Sequence, residues 1–171
     1  LDMSPNYTPL SGEDYKYIPI LMRDTSTLIL EGFEFNGVRG DSTINMVQDG
    51  SNWICRGCIF QDILFGASGR GAIARDLYRI RPCGPTAPLG NILFDQCMFQ
   101  GNVGELLYIQ DSVLTLKNNF FYNNIQESTV DIPRKGGFIG FGGVALDTFD
   151  HIMEDNTFID NNATLADNAR W

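Results

Sequence analysis

Five segments of this chain lie over one another without a gap: TLILEGFEFNGV (27–38), NWICRGCIFQDI (52–63), NILFDQCMFQGN (91–102), VLTLKNNFFYNN (113–124) and DHIMEDNTFIDN (150–161). Each carries a phenylalanine at the same place: Phe35, Phe60, Phe99, Phe121 and Phe158. Two residues earlier stand Phe33, Cys58, Cys97, Asn119 and Asn156; five earlier, Leu30, Cys55, Phe94, Leu116 and Met153; seven earlier, Leu28, Trp53, Ile92, Leu114 and His151. The inward pattern alternates with period two, skips one residue and resumes, which describes a bent strand and not a helix of period near 3.6. Repetition at a short, fixed period is the mark of a solenoid.

The phenylalanines are 25, 39, 22 and 37 residues apart. A chain that regains its register after so few residues has no room for a crossover helix, so it stacks strand on strand in parallel. A second apolar strip precedes each repeat, at 17–22, 44–47, 72–80, 106–109 and 143–146. The expected fold is therefore all-β: a single-stranded right-handed parallel β-helix of about six coils. It is expected to span 18–163, after an extended lead-in or cap at 1–17 and before a tail or cap at 164–171. The stretches 81–90 and 125–137 are rich in proline, glycine and charge and read as loop inserts.

The core positions carry specific expectations. Phe35, Phe60, Phe99, Phe121 and Phe158 should form one inward column. Cys58 and Cys97 share a register position and should stack about 5 Å apart, as a thiol pair or a disulfide. Cys55 and Cys58 form a C-x-x-C, but their register makes both core residues, not metal ligands. Asn119 and Asn156 point inward and can satisfy one another as an amide ladder. The asparagine three residues after the phenylalanine is expected at a turn, where it tolerates left-handed backbone and can bond its neighbours in the stack.

Lys and Arg number 12 against 21 Asp and Glu, a formal charge of −9. That balance argues against nucleic acid and anionic membranes as partners. No apolar run reaches the ~18 residues of a spanning helix, so membrane insertion is not expected. The chain starts without Met or a signal peptide, which suggests a processed chain or a piece of one. Asn6 (N-Y-T) and Asn162 (N-A-T) are glycosylation sequons and point to secretion.

The segment GGVALDTFDHIMEDNTFIDNNA (142–163) joins a GG-[AV]-[AIV] start at Gly142 and Gly143 to an F-x-x-N finish at Phe158 and Asn161. FYNN (121–124) and FQGN (99–102) keep the finish, GAIARD (71–76) keeps part of the start, and Val38 and Ile63 depart from it. This pattern resembles the repeats of polymorphic outer membrane proteins and related β-helix adhesins. The resemblance implies an extracellular or cell-surface structural or adhesive module, whose partners are proteins or glycans at that surface. An alternative is a carbohydrate-active β-helix that binds or cleaves polysaccharide. Its candidate site would use Arg75, Arg79, Asp147, Asp150 and His151, since such chemistry needs carboxylates or a base on the outer face of consecutive coils. These residues lack the spacing of a catalytic signature, and His151 sits at a wall position. The sequence therefore leans away from catalysis and implies no catalytic residue, metal or cofactor. The last repeat is well formed and not cap-like, so further coils or a neighbouring subunit are expected at the C-terminal face.

Overall fold

The computed structural model describes residues 20–22, 27–37, 39–40, 44–46, 52–65, 74–76, 90–104, 106–109, 112–127, 139–141 and 150–164. Among these residues every regular element is a β-strand, and every strand pair is parallel. Three five-stranded sheets carry the architecture. The first comprises β1 (Ile20–Met22), β5 (Ile44–Met46), β9 (Ala74–Asp76), β12 (Leu107–Ile109) and β16 (Ile139–Phe141). The second comprises β2 (Thr27–Glu31), β6 (Asn52–Arg56), β10 (Gly90–Asp95), β13 (Ser112–Lys117) and β17 (Ile152–Glu154). The third comprises β3 (Glu34–Asn36), β7 (Ile59–Gln61), β11 (Met98–Gln100), β14 (Phe120–Tyr122) and β18 (Thr157–Ile159). Two short pairs follow: β4 (Arg39–Gly40) with β8 (Leu64–Phe65), and β15 (Ile125–Glu127) with β19 (Asn162–Thr164).

In each five-stranded sheet the spatial order is the sequence order, so every pass of the chain lays one strand beside its predecessor. Five such passes occur among the described residues. The register matches the five aligned segments: Phe35 pairs with Phe60, Phe60 with Phe99, Phe99 with Phe121 and Phe121 with Phe158. One sheet away, Leu30, Cys55, Phe94, Leu116 and Met153 form the corresponding row.

Four placements differ from the sequence reading. The fifth strand of the first sheet is Ile139–Phe141, while the strip at 143–146 lies outside the described residues. Residues 125–127, placed at the head of a loop insert, form β15, and Thr164, placed in the tail, belongs to β19. Gly90 likewise opens β10. The lead-in segment 1–17 and most of both inserts lie outside the described residues.

The bend in each repeat has a backbone cause. Between the second and third sheets stand Gly32, Gly57, Gln96, Asn118 and Asp155; after the third stand Gly37, Asp62, Gly101, Asn123 and Asp160. All ten have φ between 51° and 67°, the left-handed region where Gly is unstrained and Asn and Asp are the most tolerant other residues. A left-handed residue turns the chain without disrupting its pairing. The amides of Gly32, Gly57, Gln96 and Asn118 donate to carbonyls one pass on, at 2.9–3.1 Å, so the backbone ladder runs on through the corner. At Gly101 a Cβ would also lie 2.7 Å from Asp62 Oδ1, so a side chain there would displace the exposed Asp62 carboxylate in addition to straining the backbone.

The phenylalanine rings stack face to face along the core. Centroid distances are 5.1 Å for Phe35–Phe60, 5.3 Å for Phe60–Phe99, 4.4 Å for Phe99–Phe121 and 4.5 Å for Phe121–Phe158, with interplanar angles of 2–11°. Phe94 meets Phe60 and Phe99 edge-on and locks the column against the second sheet. Burial adds to this geometry, with each aromatic contact contributing about 0.5–1.5 kcal/mol beyond area. Phe35, Phe60, Phe99 and Phe121 are buried, whereas Phe158 is 51% exposed. Phe33, aligned with buried Cys58, is 45% exposed. Phe158 lies on β18, the last strand of the third sheet, and Phe33 immediately precedes β3, the first strand of that sheet, so each lacks a neighbouring pass on one side among the described residues. Phe99→Ala or Phe121→Ala should cost about 3–5 kcal/mol in denaturant unfolding, and Phe158→Ala less than half of that, because only one face of its ring is covered.

Candidate functional site

Polar side chains at the core boundary form two ladders. In the first, Asn119 donates its backbone N–H (3.0 Å) and one Nδ2 proton (2.9 Å) to Asn156 Oδ1, and its other Nδ2 proton to the Phe94 carbonyl (3.0 Å). Asn119 Oδ1 in turn accepts from the Cys97 N–H at 2.9 Å. The second ladder runs Asn102, Asn124, Asn161. Asn102 N and Nδ2 donate to Asn124 Oδ1, Asn124 N and Nδ2 donate to Asn161 Oδ1, and Asn102 Oδ1 accepts from the Ile63 N–H. Every buried amide in these rows is satisfied, as burial of a polar group requires.

The second ladder shows the expected bonding between stacked asparagines and corrects only their backbone conformation. Asn102 and Asn124 are fully buried and not left-handed; the residues just before them, Gly101 and Asn123, take the positive φ and rotate the asparagines inward. The signal was present in the F-x-x-N spacing, which repeats the inward step seen two residues before the phenylalanine.

Cys55, Cys58 and Cys97 are buried free thiols. Cys58 Sγ donates to the Leu30 carbonyl (3.4 Å) and Cys97 Sγ to the Cys55 carbonyl (3.5 Å), so each thiol bridges toward the preceding pass. Burial pushes the Cys55 thiol far above its ordinary range, reinforced by Cys58. The hydrogen bond with Cys58, then burial, raises Cys97 likewise. Cys55 and Cys97 are therefore poor nucleophiles, since reactivity needs the thiolate, while the hydrogen bonds from Cys55 and then Cys97 shift Cys58 the other way and only its burial withholds it from reagents. No group of three or more His, Cys, Asp or Glu that could hold a metal ion occurs among the described residues. The buried Trp53 indole N–H has no partner of standard hydrogen-bond geometry among the described residues, and its polar interaction is with the Cys55 thiol, where it opposes the rise in pKa.

A row of charge crosses the outer face of the second sheet. Glu31, Arg56, Asp95, Lys117 and Glu154 occupy one register position on successive passes and alternate in sign. Arg56 pairs with Glu31 at 3.0 Å and Lys117 with Glu154 at 2.9 Å. These exposed pairs contribute about 0–1 kcal/mol each. Their alternation matters more, because like charges directly opposite on paired strands repel.

The residues considered for glycan chemistry do not form one described cluster. Arg79 and Asp147 lie outside the described residues, as does Asn6. Arg75 is on β9 in the first sheet, whereas Asp150 and His151 precede β17 in the second. Asp150 is exposed, and Asn162, at the start of β19, is exposed too. His151 is half-buried, and its Nδ1 accepts the Leu114 N–H at 3.1 Å, so the imidazole extends the wall of the second sheet. No helix among the described residues is long and apolar enough to cross a membrane.

Burial lowers the His151 pKa below 6.5, partly opposed by Asp150. Between the folded and unfolded values the unfolded chain binds more protons, so stability is lost as pH falls below 6.5. His151→Gln keeps an acceptor but does not titrate. Its thermal midpoint should gain on that of the parent as pH drops from 7 to 5. Asn124→Leu orphans two donors of Asn102, and at about 1–3 kcal/mol each it should destabilise by about 2–6 kcal/mol in urea unfolding.

No protein-family model matches the chain, and no curated protein and no solved structure matches it.

Proposed function

We propose that the chain is a right-handed parallel β-helix acting as an extracellular or cell-surface structural or adhesive module, through display of rigid surface and not through catalysis. The observation that carries this reading is the continuity of rows on the outer faces. Thr27, Asn52 and Asn91 are joined by side-chain hydrogen bonds of 3.4 and 3.0 Å across three passes, beside the alternating charge row. Such rows make an extended, flat surface of fixed spacing, suited to multipoint contact with a protein or glycan. Right-handedness is favoured by the strong bias of parallel connections. Exposure of the Asn162 sequon supports a secreted location. The formal charge of −9 disfavours nucleic acid as partner.

A second reading, glycan binding, is favoured by one feature. Phe120 and Tyr122 stack on the outer face of the third sheet with centroids 6.2 Å apart, and Tyr122 is 37% exposed. A sugar ring could lie on this pair. Under the display reading, the protein should release neither unsaturated sugars nor reducing ends from pectin or alginate, and Tyr122→Ala should leave affinity electrophoresis in these polymers unchanged. Turnover that requires Asp147 or Arg79 would overturn the reading in favour of an enzyme; retardation abolished by Tyr122→Ala would favour a glycan-binding module.

A further inference from the structure

The last pass presents a face with a defined hydrogen-bonding demand. β17 and β18 are terminal in their sheets, each paired on one side only. Met153 and Phe158, the inward residues of these strands, are 49% and 51% exposed, while Leu116 and Phe121 directly beneath are 0% and 1% exposed. The face is therefore a cut through the core.

The asparagine ladders say what the cut face would accept. At each inner rung, the Oδ1 of the next asparagine takes two protons from the one below, one from the backbone and one from the amide. At the last rung Asn156 Nδ2 reaches the Leu116 carbonyl (2.9 Å) and Asn161 Nδ2 the Phe121 carbonyl (2.8 Å). The backbone N–H and second amide proton of both residues have no partner among the described residues. Each asparagine thus offers two donors in the geometry that, one rung below, converges on a single amide oxygen. Polar groups become costly to cover unless that oxygen is supplied.

We infer that this face is a docking surface for a further parallel β-coil carrying the pattern N-x-F-x-x-N, whose two asparagine oxygens cap Asn156 and Asn161 while its phenylalanine covers Phe158. A head-to-tail second copy of this chain does not meet the demand. The first repeat holds Phe33 and Val38 at the two register positions, and neither side chain has an oxygen. The inference rests on the parallel stacking and not on the surface role proposed above.

Amide hydrogen exchange on the full chain tests it first. The Asn156 and Asn161 amides should exchange at least ~100-fold faster than those of Asn119 and Asn124. Equal protection at all four would overturn the inference, since the face would already be satisfied. The second arm inserts a copy of residues 106–127 between Thr164 and Leu165, which places two asparagines in register above Asn156 and Asn161. The insertion should protect both amides and raise the thermal midpoint. A sister insertion with leucine at the two positions copied from Asn119 and Asn124 should leave the amides fast. Protection by the leucine form, or none by the asparagine form, would show that the amide oxygens are not what the face selects. Loss of the display role would alter none of these readings.

Discussion

Parallel, unslipped pairing forces each residue onto its equivalent in the next pass, at the strand spacing of about 4.8 Å. Every row must therefore consist of side chains that tolerate their neighbours at that distance. Phenylalanine does so by flat stacking, as the 4.4–5.3 Å centroid spacings show. Asparagine does so because one amide both donates and accepts along the stack. Charged residues do not, and the row Glu31, Arg56, Asp95, Lys117, Glu154 meets the constraint by changing sign at each step.

The corners complete this logic. A left-handed residue at two positions per pass bends the chain while its amide stays in the backbone ladder. It also sets which residue follows inward. The positions after the first corner hold Cys58, Cys97 and Asn119; those after the second hold Ile63, Asn102 and Asn124, and all six are buried. The core is thus lined by apolar strands and closed at these six bend positions by thiols, self-satisfying amides and, at Ile63, an aliphatic side chain.

Much of this was legible in the chain. The phenylalanine column, the Leu30 row and the Asn119–Asn156 pair follow from spacing alone, because a parallel stack converts equal spacing into contact. The second asparagine ladder is legible in its bonding along the stack but not in its backbone, since Asn is at home in left-handed backbone and the sequence does not reveal which residue of Gly101–Asn102 or Asn123–Asn124 takes the positive φ. Ile139–Phe141 was passed over for 143–146 because a glycine-rich stretch offers two apolar strips of similar length. The charge row is invisible along the chain and emerges only when repeats 22 to 39 residues apart are aligned. Exposure of Phe33 and Phe158 depends on which repeats are terminal, and the repeat pattern carries no mark of that.

Ring contacts offer the most direct test of the central claim, that the repeats stack in sequence order without slip. Aromatic nuclear Overhauser effects in a phenylalanine-labelled sample should connect Phe35 to Phe60, Phe60 to Phe99, Phe99 to Phe121 and Phe121 to Phe158, and no ring to one two passes away. A contact between Phe35 and Phe99, or none between Phe60 and Phe99 across their 39 residues, would contradict the account.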